Sequence, residues 1–268
     1  MKTQYFVTKS KNVAIWRRIV MLVFLTGAAL SISYSYKNPT SLWEYDIYIK
    51  DNSIVICYIL LFAQLLITAD AYSISNSQFD DYSVIYVGGK SRWTRYMATN
   101  LLLESVIIIV AFSCIIGAVY FLKYDNITRF SDEWSSRAGI TANITPLIGT
   151  IILNSYLVLR VFFLGLLTMF INLLSRNSIG FIGPITITLF DRFFYDTFDI
   201  MQPFFVLPLE HTRIAYTEAT APANEFVSRP GYLISYVYWI ILISIIYILI
   251  RAVVKRKNFL TQSDQAKR

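Results

Sequence analysis

The chain has 268 residues, 56% of them hydrophobic and only 15% charged, with a mean hydropathy of +0.52, a balance that excludes an ordinary water-soluble domain. Its net charge of +7 does not point to nucleic acid, because the basic residues flank apolar runs and form no aromatic-interleaved face. The 19 Tyr, 19 Phe and 5 Trp instead suit the headgroup level of a bilayer.

The apolar runs are roughly 18 to 28 residues long, close to what a helix needs to cross hydrocarbon. None alternates apolar with polar residues as a barrel strand does, so the expected fold class is all-α, a polytopic membrane helical bundle. In chain order, a basic segment, 1–18, carries Phe6, Val13, Ile15 and Trp16 between Tyr5 and Arg18. It reads either as an amphipathic helix along the inner surface or as a positive flank that sets topology. The predicted spans are 19–36, 54–72, 98–122, 147–174, 178–195 and 232–250, about six crossings in one transmembrane domain, 1–268. The first is read as a retained span, since no small-residue cleavage motif follows it. The fifth is the least regular: its apolar stretch stops at Phe190, after Gly180, Gly183 and Pro184, which suits a short, broken or re-entrant helix.

Lys and Arg set the orientation. Most of the 24 fall in 1–18, at Lys90, Arg92 and Arg95, at Arg176, and from Arg251 onward, while acidic residues including Glu44, Asp46, Asp51, Asp191 and Glu210 fall in the alternate segments. This predicts both termini in the cytoplasm, a cytoplasmic loop at 73–96 and a long extracellular segment at 196–230. Cys57 and Cys114 lie inside apolar runs and suggest neither a disulfide framework nor a zinc site.

Catalytic chemistry is not expected. Gly89-Lys90-Ser91 ends like a phosphate-binding loop, but Val84 stands where that motif needs its first glycine. The one histidine, His211, stands in the outer segment, with no His-Glu-x-x-His pattern and no nucleophile elbow. Asn126-Ile127-Thr128 and Asn143-Ile144-Thr145 are glycosylation-type sequons on the outer side. Charges at membrane depth carry more information, because each costs about 2.5 to 3.5 kcal/mol at the bilayer centre on insertion scales. Arg160 lies mid-span, Glu104 inside the third span and Asp70 near the inner end of the second. A structural ion pair between Arg160 and Glu104 is the expectation, with a lining role in substrate passage as the alternative. Asp191 and Arg192 are expected at the outer end of the fifth span, as aromatic-flanked anchors or an outer gate.

The segment Asp80-Asp81-Tyr82-Ser83-Val84-Ile85-Tyr86-Val87-Gly88-Gly89-Lys90-Ser91-Arg92-Trp93-Thr94-Arg95-Tyr96 resembles the stretch before the third span of type-2 ATP-binding-cassette (ABC) exporter permeases, in particular the small Gram-positive kind. The matching elements are Ile85, Val87, Gly88, Lys90, Ser91, Arg92 and Trp93, and Gly89 is a departure. Length, six spans, the basic amino-terminal segment and the long outer segment before the last helix agree as well. The resemblance implies a multi-pass permease of the bacterial plasma membrane that binds no cofactor itself. A separate cytoplasmic ATPase would use ATP and Mg, and a second permease chain, identical or related, would complete the pathway. It further implies that Asp80, Asp81, Tyr82, Gly88, Lys90, Ser91, Arg92 and Trp93 couple to that ATPase, and that the cargo is amphipathic, such as an antimicrobial peptide, toxin or drug. The alternative is a non-catalytic membrane immunity or assembly protein acting by binding. An intramembrane enzyme is a third, weaker reading.

Overall fold

A backbone in hydrocarbon must satisfy its own hydrogen bonds, and every regular element among the described residues is helical. The computed structural model describes residues 2–34, 41–52, 54–73, 88–124, 145–175, 179–197 and 232–256, with single positions at 130, 208 and 212; for 2–14, 67, 69–73 and 194–197 it describes the backbone alone. The elements are α1 (Lys2–Ser33), α2 (Leu42–Lys50), a π-helical turn (Val55–Ile59) running into α3 (Leu60–Ser73), α4 (Lys90–Lys123), α5 (Pro146–Ser175), α6 (Ile182–Thr197) and α7 (Tyr232–Arg256).

Among the described residues, four helical stretches are long and apolar enough to cross a membrane: Ile15–Ser33, Lys90–Lys123, Pro146–Ser175 and Leu233–Arg256. A fifth crossing among them requires Leu42–Lys50 and Val55–Leu66 to act together as one span bent by 66°. α6, the expected fifth span, has 16 residues. At 1.5 Å per residue that is about 24 Å, short of the roughly 30 Å hydrocarbon layer.

Two features go beyond the expectation. α1 is continuous from Lys2 through Arg18 to Ser33, so the basic amino-terminal segment and the first apolar run form one helix. The segment before the second span, expected as an outer loop, is instead α2, which buries Glu44, Asp46, Lys50 and Asp51. Ser41 caps it by accepting from the Glu44 amide at 3.2 Å. The Lys50–Asp46 ion pair, 2.9 Å and i,i+4, neutralises two of these charges. Short, capped and paired, α2 can sit against apolar helices.

Side-chain contacts fix how the helices run. Lys123 Nζ donates to the Ser33 carbonyl, and Arg18 meets Glu104 at 2.6 Å, so α1 and α4 are parallel. Lys90 Nζ donates to the Lys255 carbonyl at 3.3 Å, which brings the start of α4 to the end of α7. Both chain ends of the helical bundle therefore lie toward one end, here the basic end.

α5 is the centre. Of its apolar window 67% is buried, against 22% for α1 and for α7, and it packs on α2, α3, α4, α6 and α7. A helix apolar all round belongs inside a bundle. The outer helices turn large apolar side chains outward, with Ile107, Val110, Ile240 and Ile248 all more than half exposed, as lipid contact requires.

The α5–α6 seam depends on close approach. A Cβ on Gly180 would stand 2.4 Å from the Thr168 carbonyl oxygen, and one on Gly183 would stand 2.1 Å from Ile171 Cδ1. Small residues allow helices to approach this closely where no hydrophobic drive separates protein from lipid. Gly180→Val is therefore expected to destabilise the purified protein by about 1–3 kcal/mol through overpacking. Thermal unfolding in detergent checks this; an unchanged midpoint would remove the seam's importance.

Candidate functional site

Helix α5 places Arg160 midway, about 21 Å from Pro146 at 1.5 Å per residue, with the side chain 1% exposed. Its Nη2 donates to Asp191 Oδ2 at 3.0 Å, and Asp191 is equally buried. The expected Arg160–Glu104 pair does not form. On α4 the buried face carries Leu101, Ser105, Ile108 and Phe112, and Glu104 stands off that face toward α1, where it pairs with the half-exposed Arg18.

Asp191 is correspondingly not at an outer helix end. The Gly180 amide donates to Asn172 Oδ1 at 2.7 Å, which pins the start of α6 deep along α5. From Gly180 to Asp191 the chain rises about 17 Å, and from Asn172 back to Arg160 about 18 Å. The two rises agree, so cap and ion pair together set one register for α6. Arg192, the neighbouring gate candidate, is partly exposed. Arg160 Nε and Nη1 have no hydrogen-bond partner among the described residues, and neither has Thr188 Oγ1, one turn before Asp191 on α6. Asp70 lies on α3, with its side chain outside the described residues.

A second buried charge cluster went unread in the sequence. Lys50 Nζ donates to Asp46 Oδ2 at 3.0 Å, to Asn154 Oδ1 at 2.6 Å and to Ser113 Oγ. An ammonium has three N–H groups, and all three are used. The cluster ties α2 to α4 and α5 and lies behind a lateral groove of about 470 Å³ between α4, α5 and α7. The walls are apolar, among them Ile109, Val110, Val158 and Ile240, and the polar lining is Ser113, Asn154, Ser155 and Tyr236. One signal was present: Ser41-Leu42-Trp43-Glu44 has the spacing of a helix-capping box and opens a helix with Asp46 and Lys50 at i,i+4.

At the basic end α4 starts directly after Gly88 and Gly89, whose φ values of +85° and +116° suit glycine. The second glycine is thus part of the turn that begins the helix. Of the coupling candidates, Ser91 and Arg92 are exposed and Lys90 is partly buried, whereas Trp93 is only 5% exposed and packs in the core. Asp80, Asp81 and Tyr82 lie outside the described residues, as do His211, Asn126 and Asn143. Lys90, Ser91, Thr94, Arg251 and Lys255 line a crevice of about 580 Å³ between α4 and α7. Among the described residues no cluster of His, Cys, Asp and Glu could hold a metal, and neither cysteine forms a disulfide, Cys57 being buried and Cys114 exposed.

These features define an all-helical bundle with four to five helices suited to crossing a bilayer. No protein-family model, curated protein or solved structure matches the chain.

A buried ion pair deprived of one member is costly, because the other charge is left uncompensated. Asp191→Ala should destabilise the protein by about 3–5 kcal/mol, while the double variant Arg160→Leu with Asp191→Leu should recover most of that loss. Detergent unfolding midpoints of the single and double variants give the comparison; a double variant no better than Asp191→Ala would deny the coupling.

Proposed function

We propose that this chain is the membrane-spanning permease subunit of an exporter driven by a separate ABC-type ATPase, and that it moves an amphipathic substrate. The observation that carries this reading is the basic end. α4 has 34 residues, about 51 Å, some 20 Å longer than the hydrocarbon layer. Its first two turns therefore extend past the lipid, with Ser91, Arg92 and Arg95 exposed beside Arg251, Lys255 and Arg256 of α7. Positive charge on the short segments flanking spans faces the cytoplasm, which supports reading this end, where α1 begins and α7 ends, as the cytoplasmic one.

A projecting, positively charged helix start offers a rigid lever for a partner that changes shape, and charge complementarity governs how fast and how selectively such a partner docks. Arg92 and Ser91 are the exposed contact residues there, and Trp93 anchors the lever in the bundle. The lateral groove supplies the second requirement, a place where a molecule dissolved in the membrane can enter from the side. A second copy or a related permease would complete the pathway.

The test is co-expression with the ATPase encoded nearest to the gene. Wild-type chain should co-purify with it, and Arg92→Glu with Arg95→Glu should cut the retained ATPase about tenfold, since reversing two rim charges costs more than 1.4 kcal/mol in docking. Substrate movement in sealed vesicles should also stop when the ATPase is inactivated. Movement, or protection against a toxin, that persists without ATP hydrolysis would favour action by binding instead.

A further inference from the structure

The lateral groove has a donor-bearing floor. Ser113 Oγ and Asn154 Oδ1 each accept from Lys50 Nζ. Neither side chain makes another hydrogen bond among the described residues. Each oxygen gives one lone pair to the ammonium and keeps one, and the Ser113 O–H and the two N–H bonds of Asn154 are left as three donors. Both residues line the groove. Nearby, Ser155 donates its hydroxyl to the Ile152 carbonyl at 2.7 Å, so the Tyr236 hydroxyl is the donor in the Ser155–Tyr236 contact. Lys50 thus acts as an orienting group: fully used itself, it turns two neutral side chains so that their donors remain for whatever enters.

The geometry points to a binding site for a single-chain amphiphile from the surrounding leaflet, its acyl tail between the apolar walls and the acceptor oxygens of a carboxylate or phosphate head on Ser113 and Asn154. The volume of about 470 Å³ lies within the roughly 300–1,000 Å³ usual for small-molecule sites. Asn154 is eight residues into α5, about 12 Å below its start. A lipid head left to itself stays at the interface, and drawing its oxygens to that depth requires donors that replace water. Val110 and Ile240, on α4 and α7, are both exposed at the mouth, so the tail enters sideways without passing through the bundle. This deepens the export reading by naming the head group of the substrate, and rests on that reading only for what the site is for. Binding itself needs no ATPase.

The experiment uses the full chain in nanodiscs of zwitterionic lipid with no ATPase present, so its failure is separable from failure of the docking test. Two photoreactive probes share one saturated diazirine chain, the first with a carboxylate head and the second with an amine head. Wild-type protein should be labelled at Val110, Val158 or Ile240 by the carboxylate probe about tenfold more than by the amine probe, the weight of one charge-assisted hydrogen bond. Asn154→Asp keeps an acceptor for Lys50 but removes both donors from the floor, and should reverse the order. Val158→Phe fills the space between the walls while leaving Lys50, Ser113 and Asn154 in place, and should lower carboxylate labelling at Val110 and Ile240 to the level of the amine probe, which keeps the test decisive if Asn154→Asp folds poorly. Equal labelling of wild type by both probes, or carboxylate labelling unchanged in Val158→Phe, would overturn the assignment.

Discussion

Burial of the middle of α5 among five neighbouring elements is the constraint from which the rest follows. A helix enclosed by α2, α3, α4, α6 and α7 cannot carry a charge at its midpoint unless a neighbour supplies the opposite one. Arg160 therefore dictates where α6 must lie. Asp191 has to reach the centre of α5, and the Gly180 amide on Asn172 fixes the other end. The glycines let the two backbones close to that distance.

The two buried charge clusters are satisfied to different degrees. Lys50 has a partner for each N–H, and it joins three helices in one arrangement. Arg160 engages Asp191 through Nη2 while Nε and Nη1 have no partner among the described residues. Since an unmatched buried donor costs on the order of 1–3 kcal/mol, Lys50 is the more fully compensated of the two cations. The groove is built against the α2–α4–α5 junction that Lys50 ties, where a fixed floor can discriminate between head groups.

How much was legible follows from the range of each physical signal. Hydropathy located the apolar part of each long helix, because crossing hydrocarbon demands a continuous apolar run whatever its neighbours are, but it left out the polar turns by which α1 and α4 begin earlier, at Lys2 and Lys90. The irregular fifth element was readable in the same way from Gly180, Gly183 and Pro184. α2 was not, because counting Glu44, Asp46, Lys50 and Asp51 as loop charges ignored that Asp46 and Lys50 cancel one turn apart. Its capping sequence at Ser41 and Glu44 was the local signal that could have corrected the count.

The sequence alone determined an all-helical chain rich in membrane-length apolar runs, the clustering of Lys and Arg at alternate ends of them, and Arg160 as a charge in need of a partner. These are properties of a single helix and the medium around it. Only the tertiary structure decided that Arg160 pairs with Asp191 and Glu104 with Arg18, that Trp93 turns inward while Arg92 turns outward, and that Lys50 stands behind Ser113 and Asn154. Each of these depends on which face of one helix meets which face of another, a matter of rotation about the helix axis that residue spacing within one helix cannot specify.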